Sequence, residues 1–204
     1  FNHQLWFAAI GSTLPDKESN RRAFCFFENI ASCPKLYSDG IIQHNSQMGY
    51  FSKNLKLSNN KFRFIYSFIK RFIDSRVLYK KSVGYHSFNL YAYGILKQSY
   101  PGHRFWNSNT WLSMKNATKT TKFIQNLNNN CYGWTYNSPG IEMAFVNAVD
   151  SNHVDAQEWL NKQNSEIIKI MNVDALTGSS DDPATSAARL YEACRLQENY
   201  KINV

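Results

Sequence analysis

Apolar residues recur along this chain at the three- and four-residue intervals of an α-helix, with few two-residue alternations of the kind that mark strands. The clearest stripe runs through residues 61–74 (KFRFIYSFIKRFID), where Ile65, Phe68, Ile69, Phe72 and Ile73 share one face and Lys61, Lys70 and Arg71 stand away from it. A basic amphipathic helix of this kind suits a core contact or a membrane surface, and core packing is the commoner use. The same spacing predicts helices over 20–31 (NRRAFCFFENIA), 84–99, 109–127, 140–149 and 153–171. Pro101-Gly102 ends the second of these, and Thr and Asn weaken the third. A last helix opens with Asp182 as N-cap and Pro183 at its first position, so Asp181-Asp182 reads as a cap rather than a metal pair. About seven helices joined by Gly, Asn and Pro loops predict an all-α helical array, with no fixed-period repeat to suggest a solenoid. The chain reads as a single helical domain over residues 1–204. Joints such as MNVDALTG keep open a fragment, or a chain with loops dropped.

One helix is patterned differently. In GYHSFNLYAYG, Tyr85, His86, Asn89 and Tyr93 fall within an arc of about 100°, with Phe88, Tyr91, Ala92 and Ile95 opposite. Imidazole, carboxamide and phenol groups on one face suit a wet cavity that binds a polar ligand or moves a proton. A mutually satisfied polar core network is the equal alternative.

Charge narrows the partners. Residues 1–125 carry 18 Lys/Arg against 5 Asp/Glu, whereas residues 126–204 carry 5 against 10. The basic front portion favours an anionic partner: nucleic acid, an acidic polysaccharide or a phospholipid surface. Aromatic residues make up 15% of the chain, which supplies rings for stacking as well as for a core. Cys25, Cys33, Cys131 and Cys194 lack metal-site and disulfide-framework spacing, so buried free thiols are expected and no metal. No nucleotide-loop, zinc-protease or nucleophile-elbow motif is present, so no cofactor is expected. No apolar run approaches the ~20 residues of a transmembrane helix. Localisation and oligomeric state stay open.

Three further segments carry candidate chemistry. KLYSDGIIQHN (35–45) sets His44 beyond an Asp39-Gly40 turn, and PGHRFWNSNTW (101–111) bears His103, Arg104, Trp106 and Trp111. In CYGWTYNSPGIEMAF (131–145), alternation of Tyr132, Trp134 and Tyr136 predicts three rings on one side of an extended stretch. Asn137 and Glu142 follow them. Rings beside amides and a carboxylate form a sugar platform, or a packed loop sealing two helices.

Asp39-Gly40, His44-Asn45 and Gly49-Tyr50 together resemble a stretch of the polysaccharide lyases built on an (α/α) toroid. The Tyr-His-x-x-Asn helix and the YGWTYNSPG loop are similar to inner-helix and loop motifs of the wider toroid class. That class includes glycoside hydrolases and N-acylglucosamine 2-epimerase-like enzymes. The likeness covers about a quarter of the chain, and Ile41 stands where those lyases carry Ser or Thr. It implies an (α/α) toroid, or part of one, and a carbohydrate-active enzyme working on an acidic glycan. In a lyase of this type Asn89 would neutralise the uronate carboxylate, His86 would take the adjacent proton, and Tyr85 or Tyr93 would protonate the leaving oxygen. His44, Arg104 and Asn137 would contact substrate, and Trp106, Trp134 and Tyr136 would stack on its rings. For glycoside hydrolysis the candidate carboxylates are Glu142 and Asp39.

Two other functions compete. Lys61, Arg63, Lys70, Arg71, Arg76, Lys80 and Lys81, interleaved with rings, suit single-stranded nucleic acid. A non-catalytic helical scaffold is favoured if the polar helix face is buried and satisfied. The discriminating observation is whether residues 85–93, 39–45 and 132–142 meet.

Overall fold

The structure, a computed structural model, describes residues 1–44, 75–128, 130–134, 136–170, 188, 191–196 and 200–201. Among these residues the protein is all-α, and extended pairing is confined to one antiparallel bridge between Leu36 and Ile42. Helix α1 spans Asn2–Gly11 and α2 spans Lys17–Phe26, followed by a π-helical turn, Phe27–Ala31. Helical residues 75–84 form α3, and α4 runs from His86 to Ser99. After a 3₁₀ turn at Arg104–Asn107 come α5 (Asn109–Thr118), α6 (Thr121–Asn128), α7 (Pro139–Val149) and α8 (His153–Ile170). A 3₁₀ turn at Glu192–Arg195 lies against α7. The expected helix at 61–74 and the Asp182-Pro183 helix start lie outside the described residues.

Helices α4 and α7 form the centre. Leu90, Tyr91, Ile95 and Leu96 of α4 and Met143, Ala144, Phe145 and Val146 of α7 are buried. A helix apolar on most of its circumference gains by being surrounded, and α4 packs between α1 and α7 while α7 packs on α8. The α7–α8 approach depends on Gly140. A Cβ there would fall 2.3 Å from the Gln163 Cβ and 2.5 Å from the Trp159 carbonyl oxygen. In its place the Gly140 N–H donates to Gln163 Oε1 at 2.9 Å. At the far end of α4, Asp150 accepts from both Lys97 and Lys115, which joins α4, α5 and the end of α7.

Several expectations need correction. The helix expected at 109–127 is two helices, because the Thr118 and Thr120 hydroxyls donate back to the Lys115 and Ala117 carbonyls and Thr120 Oγ1 then accepts from the Phe123 N–H. The helix expected at 20–31 starts earlier, where the Asp16 carboxylate caps the Ser19 N–H at 2.7 Å, and it widens into the π turn after Phe26. Helix α1 was not anticipated; it is charge-free and apolar on both faces, with Phe7 81% exposed, so it offers no periodic contrast. All four cysteines are free thiols but exposed, not buried. Among the described residues no helix is long and apolar enough to cross a membrane. Among them, too, no group of three His, Cys, Asp or Glu side chains could hold a metal ion.

Candidate functional site

Three segments meet at the N-terminal end of α4. The loop after α6 is held there by two asparagines. Asn130 Nδ2 donates to the Lys80 carbonyl at 2.7 Å, and Asn137 Nδ2 donates to the carbonyls of Gly84 and Tyr132, each at 2.8 Å. Gly84 makes this contact sterically allowed, since a Cβ there would lie 2.4 Å from the Tyr132 Cβ. The segment before it is held by its own turn: Asp39 accepts from the Tyr79 hydroxyl at 2.6 Å and from Lys122 Nζ at 2.7 Å. Beyond that turn the His44 N–H donates to Ser82 Oγ at 2.9 Å, which places the imidazole beside α3.

The outcome is a half-buried ring cluster. The His44 ring lies 4.5 Å from Tyr85, Tyr85 lies 5.7 Å from Tyr132 and 6.1 Å from Tyr136, and Tyr132 and Tyr136 are 5.9 Å apart. The hydroxyl oxygens of Tyr85 and Tyr136 are 3.4 Å apart. Lys81 Nζ sits over two of these rings, 5.8 Å from Tyr85 and 5.6 Å from Tyr132. Phenols, an imidazole and an ammonium thus share one half-buried edge, a set able to stack on a sugar ring, bond its hydroxyls and move a proton. The loop is not extended as its alternation suggested, because a run of turns replaces the strand. Trp134 consequently points away; it is buried, packs 6.1 Å from Trp159, and donates its indole N–H to Asn128 Oδ1 at 3.0 Å.

The two histidines differ in kind. His86 is fully buried; its Nδ1 accepts from the Ile42 N–H at 3.1 Å and its Nε2 lies 3.0 Å from the Met114 carbonyl. A backbone donor on one side and a backbone acceptor on the other leave one neutral tautomer, protonated on Nε2. Burial holds its pKa down to about 4, against partial support from the Met114 carbonyl. His44 is also held at about 4, by desolvation first, then by the charge of Lys81, with a lesser part from His3. Its Nδ1 lies 2.9 Å from Asn2 Nδ2. A carboxamide can present either its NH₂ or its oxygen, so His44 can adopt either tautomer, whereas His86 cannot.

The remaining polar face of the opening helix is in the core, not in a wet cavity. Tyr93 is fully buried and donates to the Ala31 carbonyl, and Asn89 is fully buried with neither amide atom hydrogen-bonded among the described residues. Glu142 is buried in the first turn of α7, where its charge adds to the raised pKa of Tyr91, itself due mainly to burial. Trp106 is buried against Phe27 at 5.1 Å and donates to the Tyr100 carbonyl. Arg104 is exposed, 3.9 Å from Glu28. Both belong to the other end of α4, about 20 Å away at the rise of an α-helix. A wide-open groove of about 470 Å³ also lies there, lined by Leu14, Pro15, Lys17, Asn20, Arg21, Phe24 and Tyr100. It contains none of the converging segments. Of the residues singled out in the sequence, the structure brings together His44, Tyr85, Tyr132 and Tyr136, with Asn137 holding their loop.

Sequence reasoning missed Lys81 and Asn2 as members of this edge. Lys81 sits in a run of charge, but it also stands four residues before Tyr85, a helical interval that pairs the two.

No family model and no solved structure matches the chain. A curated relative, archaeal glycosylation protein Q from Haloferax volcanii, is 32% identical over 215 residues, an overlap that takes in 99% of this chain. The chain spans 57% of that relative's length.

Proposed function

We propose that this chain is carbohydrate-active, acting in the making or remodelling of an acidic glycan, with its sugar site at the ring cluster of His44, Tyr85, Tyr132 and Tyr136. The observation that supports it is the convergence of residues 44, 85, 132 and 136 on one half-buried edge. The relative's name, a glycosylation protein, points the same way. In this reading the helices are part of an (α/α) toroid, and the cluster is the polar mouth of its cleft.

The chemistry is proton abstraction next to the carboxylate of a hexuronate. The C–H bond breaks, its electron pair forms a carbon–carbon double bond, and the C–O bond one carbon further breaks with its oxygen protonated. His44, not His86, takes the proton, because its tautomer is free to switch and His86 is clamped between two backbone groups. Tyr85 or Tyr136 supplies the proton to the departing oxygen. No cofactor enters this step. The test is incubation with a hexuronate-containing oligosaccharide, followed by the ultraviolet absorbance of the unsaturated product. Expected is product from the native chain and none from His44→Ala or the Tyr85→Phe/Tyr136→Phe pair. Product formation undiminished in both variants refutes the assignment.

The scaffold alternative draws support from one observation: His86 and Tyr93 are buried and bonded to backbone. That accounts for the core face of α4 and leaves the cluster at its end unexplained. Of the cations that suggested nucleic acid, Lys61, Arg63, Lys70 and Arg71 lie outside the described residues, and a salt titration of single-strand binding tests that reading.

A further inference from the structure

Lys81 stands out among the half-buried lysines. Lys97 and Lys115 both pair with Asp150, and at the surface Lys119 pairs with Asp155 and Lys122 with Asp39. Lys81, half-buried and close to the rings, has no carboxylate partner among the described residues. Its contacts are instead the faces of Tyr85 and Tyr132, at 5.8 and 5.6 Å. Ring faces attract an ammonium without satisfying its N–H groups, so three donors stay available to an anion.

Its position is fixed by the surrounding structure. Lys80, next to it, is tied through its carbonyl to Asn130, and Ser82, on its other side, is tied to the His44 backbone. The backbone that carries the ammonium is therefore held beside the imidazole, the ammonium itself lies against the Tyr85 and Tyr132 rings, and its charge already acts on His44.

We propose that Lys81 is the anchor for the substrate's carboxylate, the residue that makes this ring cluster prefer an acidic sugar over a neutral one. This rests on the sugar-site reading above. A carboxylate set against Lys81 places the adjacent C–H next to His44, so the group that selects the substrate also positions the atom that reacts. The same carboxylate cancels the charge that Lys81 exerts on His44, which makes the imidazole a better base once substrate is bound.

The test uses methyl glucuronide, methyl glucoside and glucose 1-phosphate as probes, with affinity read from NMR shifts of the Tyr85, Tyr132 and Tyr136 rings. In the native chain the glucuronide binds about tenfold or more tighter than the glucoside, a charge-assisted bond's worth. Lys81→Met reduces glucuronide binding to the level of the glucoside and leaves the glucoside unchanged, and Lys81→Arg retains the preference. Lys81→Met also moves the free protein's His44 titration upward, a readout independent of sugar. If the native chain binds both sugars equally, or Lys81→Met weakens both alike, the anchor assignment falls while the sugar site stands. A Lys81-dependent preference for glucose 1-phosphate over the glucuronide overturns the carboxylate assignment. Absence of ring shifts with every probe refutes the sugar site and this proposal together.

Discussion

Replacing His86 by leucine separates a structural histidine from a chemical one. The substitution removes the acceptor of the Ile42 N–H and the partner of the Met114 carbonyl, both buried contacts. An orphaned buried N–H costs roughly 1–3 kcal/mol, and the second bond adds about 1 kcal/mol. The Met114 carbonyl lies inside α5 and retains its helical environment, so the second loss is the smaller. The sum, about 2–4 kcal/mol, lowers Tm by on the order of 10 °C for a chain of this size. Acid provides an independent check. Above its ordinary value of 6.5, His86 is neutral in both the folded and unfolded states, and its folded value is about 4. Between those limits the unfolded chain takes up a proton that the folded one refuses, so stability falls as pH drops from 6.5 towards 4. The fall attributable to His86 is about 3 kcal/mol. Thermal unfolding from pH 7.5 to 4 should show this slope in the native protein and a shallower one in His86→Leu, where His44 still contributes, with a smaller share because it is half-exposed. A variant with unchanged Tm at pH 7.5 and an unchanged acid slope would refute the structural role.

Gly84→Ala should displace the loop at 130–137, since the added methyl meets the Tyr132 Cβ and carbonyl; a loss of roughly 1–3 kcal/mol in denaturant melts is expected. The same variant should lose the sugar-induced ring shifts. Asp39→Asn should cost on the order of 1 kcal/mol, because Lys122 is largely exposed and its ion pair is screened. The Asp39 carboxyl is held below its ordinary 3.8 by Lys122 and Tyr79 against the cost of burial, so that contribution is present above 3.8 and is lost as pH falls further; acid melts of the variant should show it missing. All four cysteines should react with a thiol reagent without denaturant, and a protected thiol in the folded chain would contradict their exposure.

The helical class was legible because α4, α7 and α8 carry apolar residues at helical intervals between clear stop signals, and their ends agree with Pro101, Pro139 and the Gly-Asn loops. The split between α5 and α6 was hidden because a threonine hydroxyl competes with the helix only once the backbone is placed. Helix α1 was illegible for the opposite reason: apolar residues all round its circumference leave no contrast to detect. At the site, Tyr85, His44 and Tyr136 were each visible as chemistry, but the distances between them depend on loops whose path one dimension does not contain. Asn89 and Tyr93 share a helix face with His86 as expected, yet that face turns into the core, because periodicity fixes which residues travel together and not where the face points.

The loop bearing Tyr132 and Tyr136 is hung on main-chain carbonyls: those of Lys80 and Gly84 from outside, and that of Tyr132 within. Two amide side chains thus read the path of α3 and not the identity of its residues. Apart from Gly84, whose lack of a side chain admits the loop, and Tyr79 and Ser82, whose hydroxyls hold the segment that carries His44, α3 can change its surface by substitution without releasing the rings. Homologous chains could therefore exchange the cation at position 81 for another group and alter ligand preference while keeping the same frame. The architecture separates holding from choosing, which makes this edge a natural place for new specificities to arise.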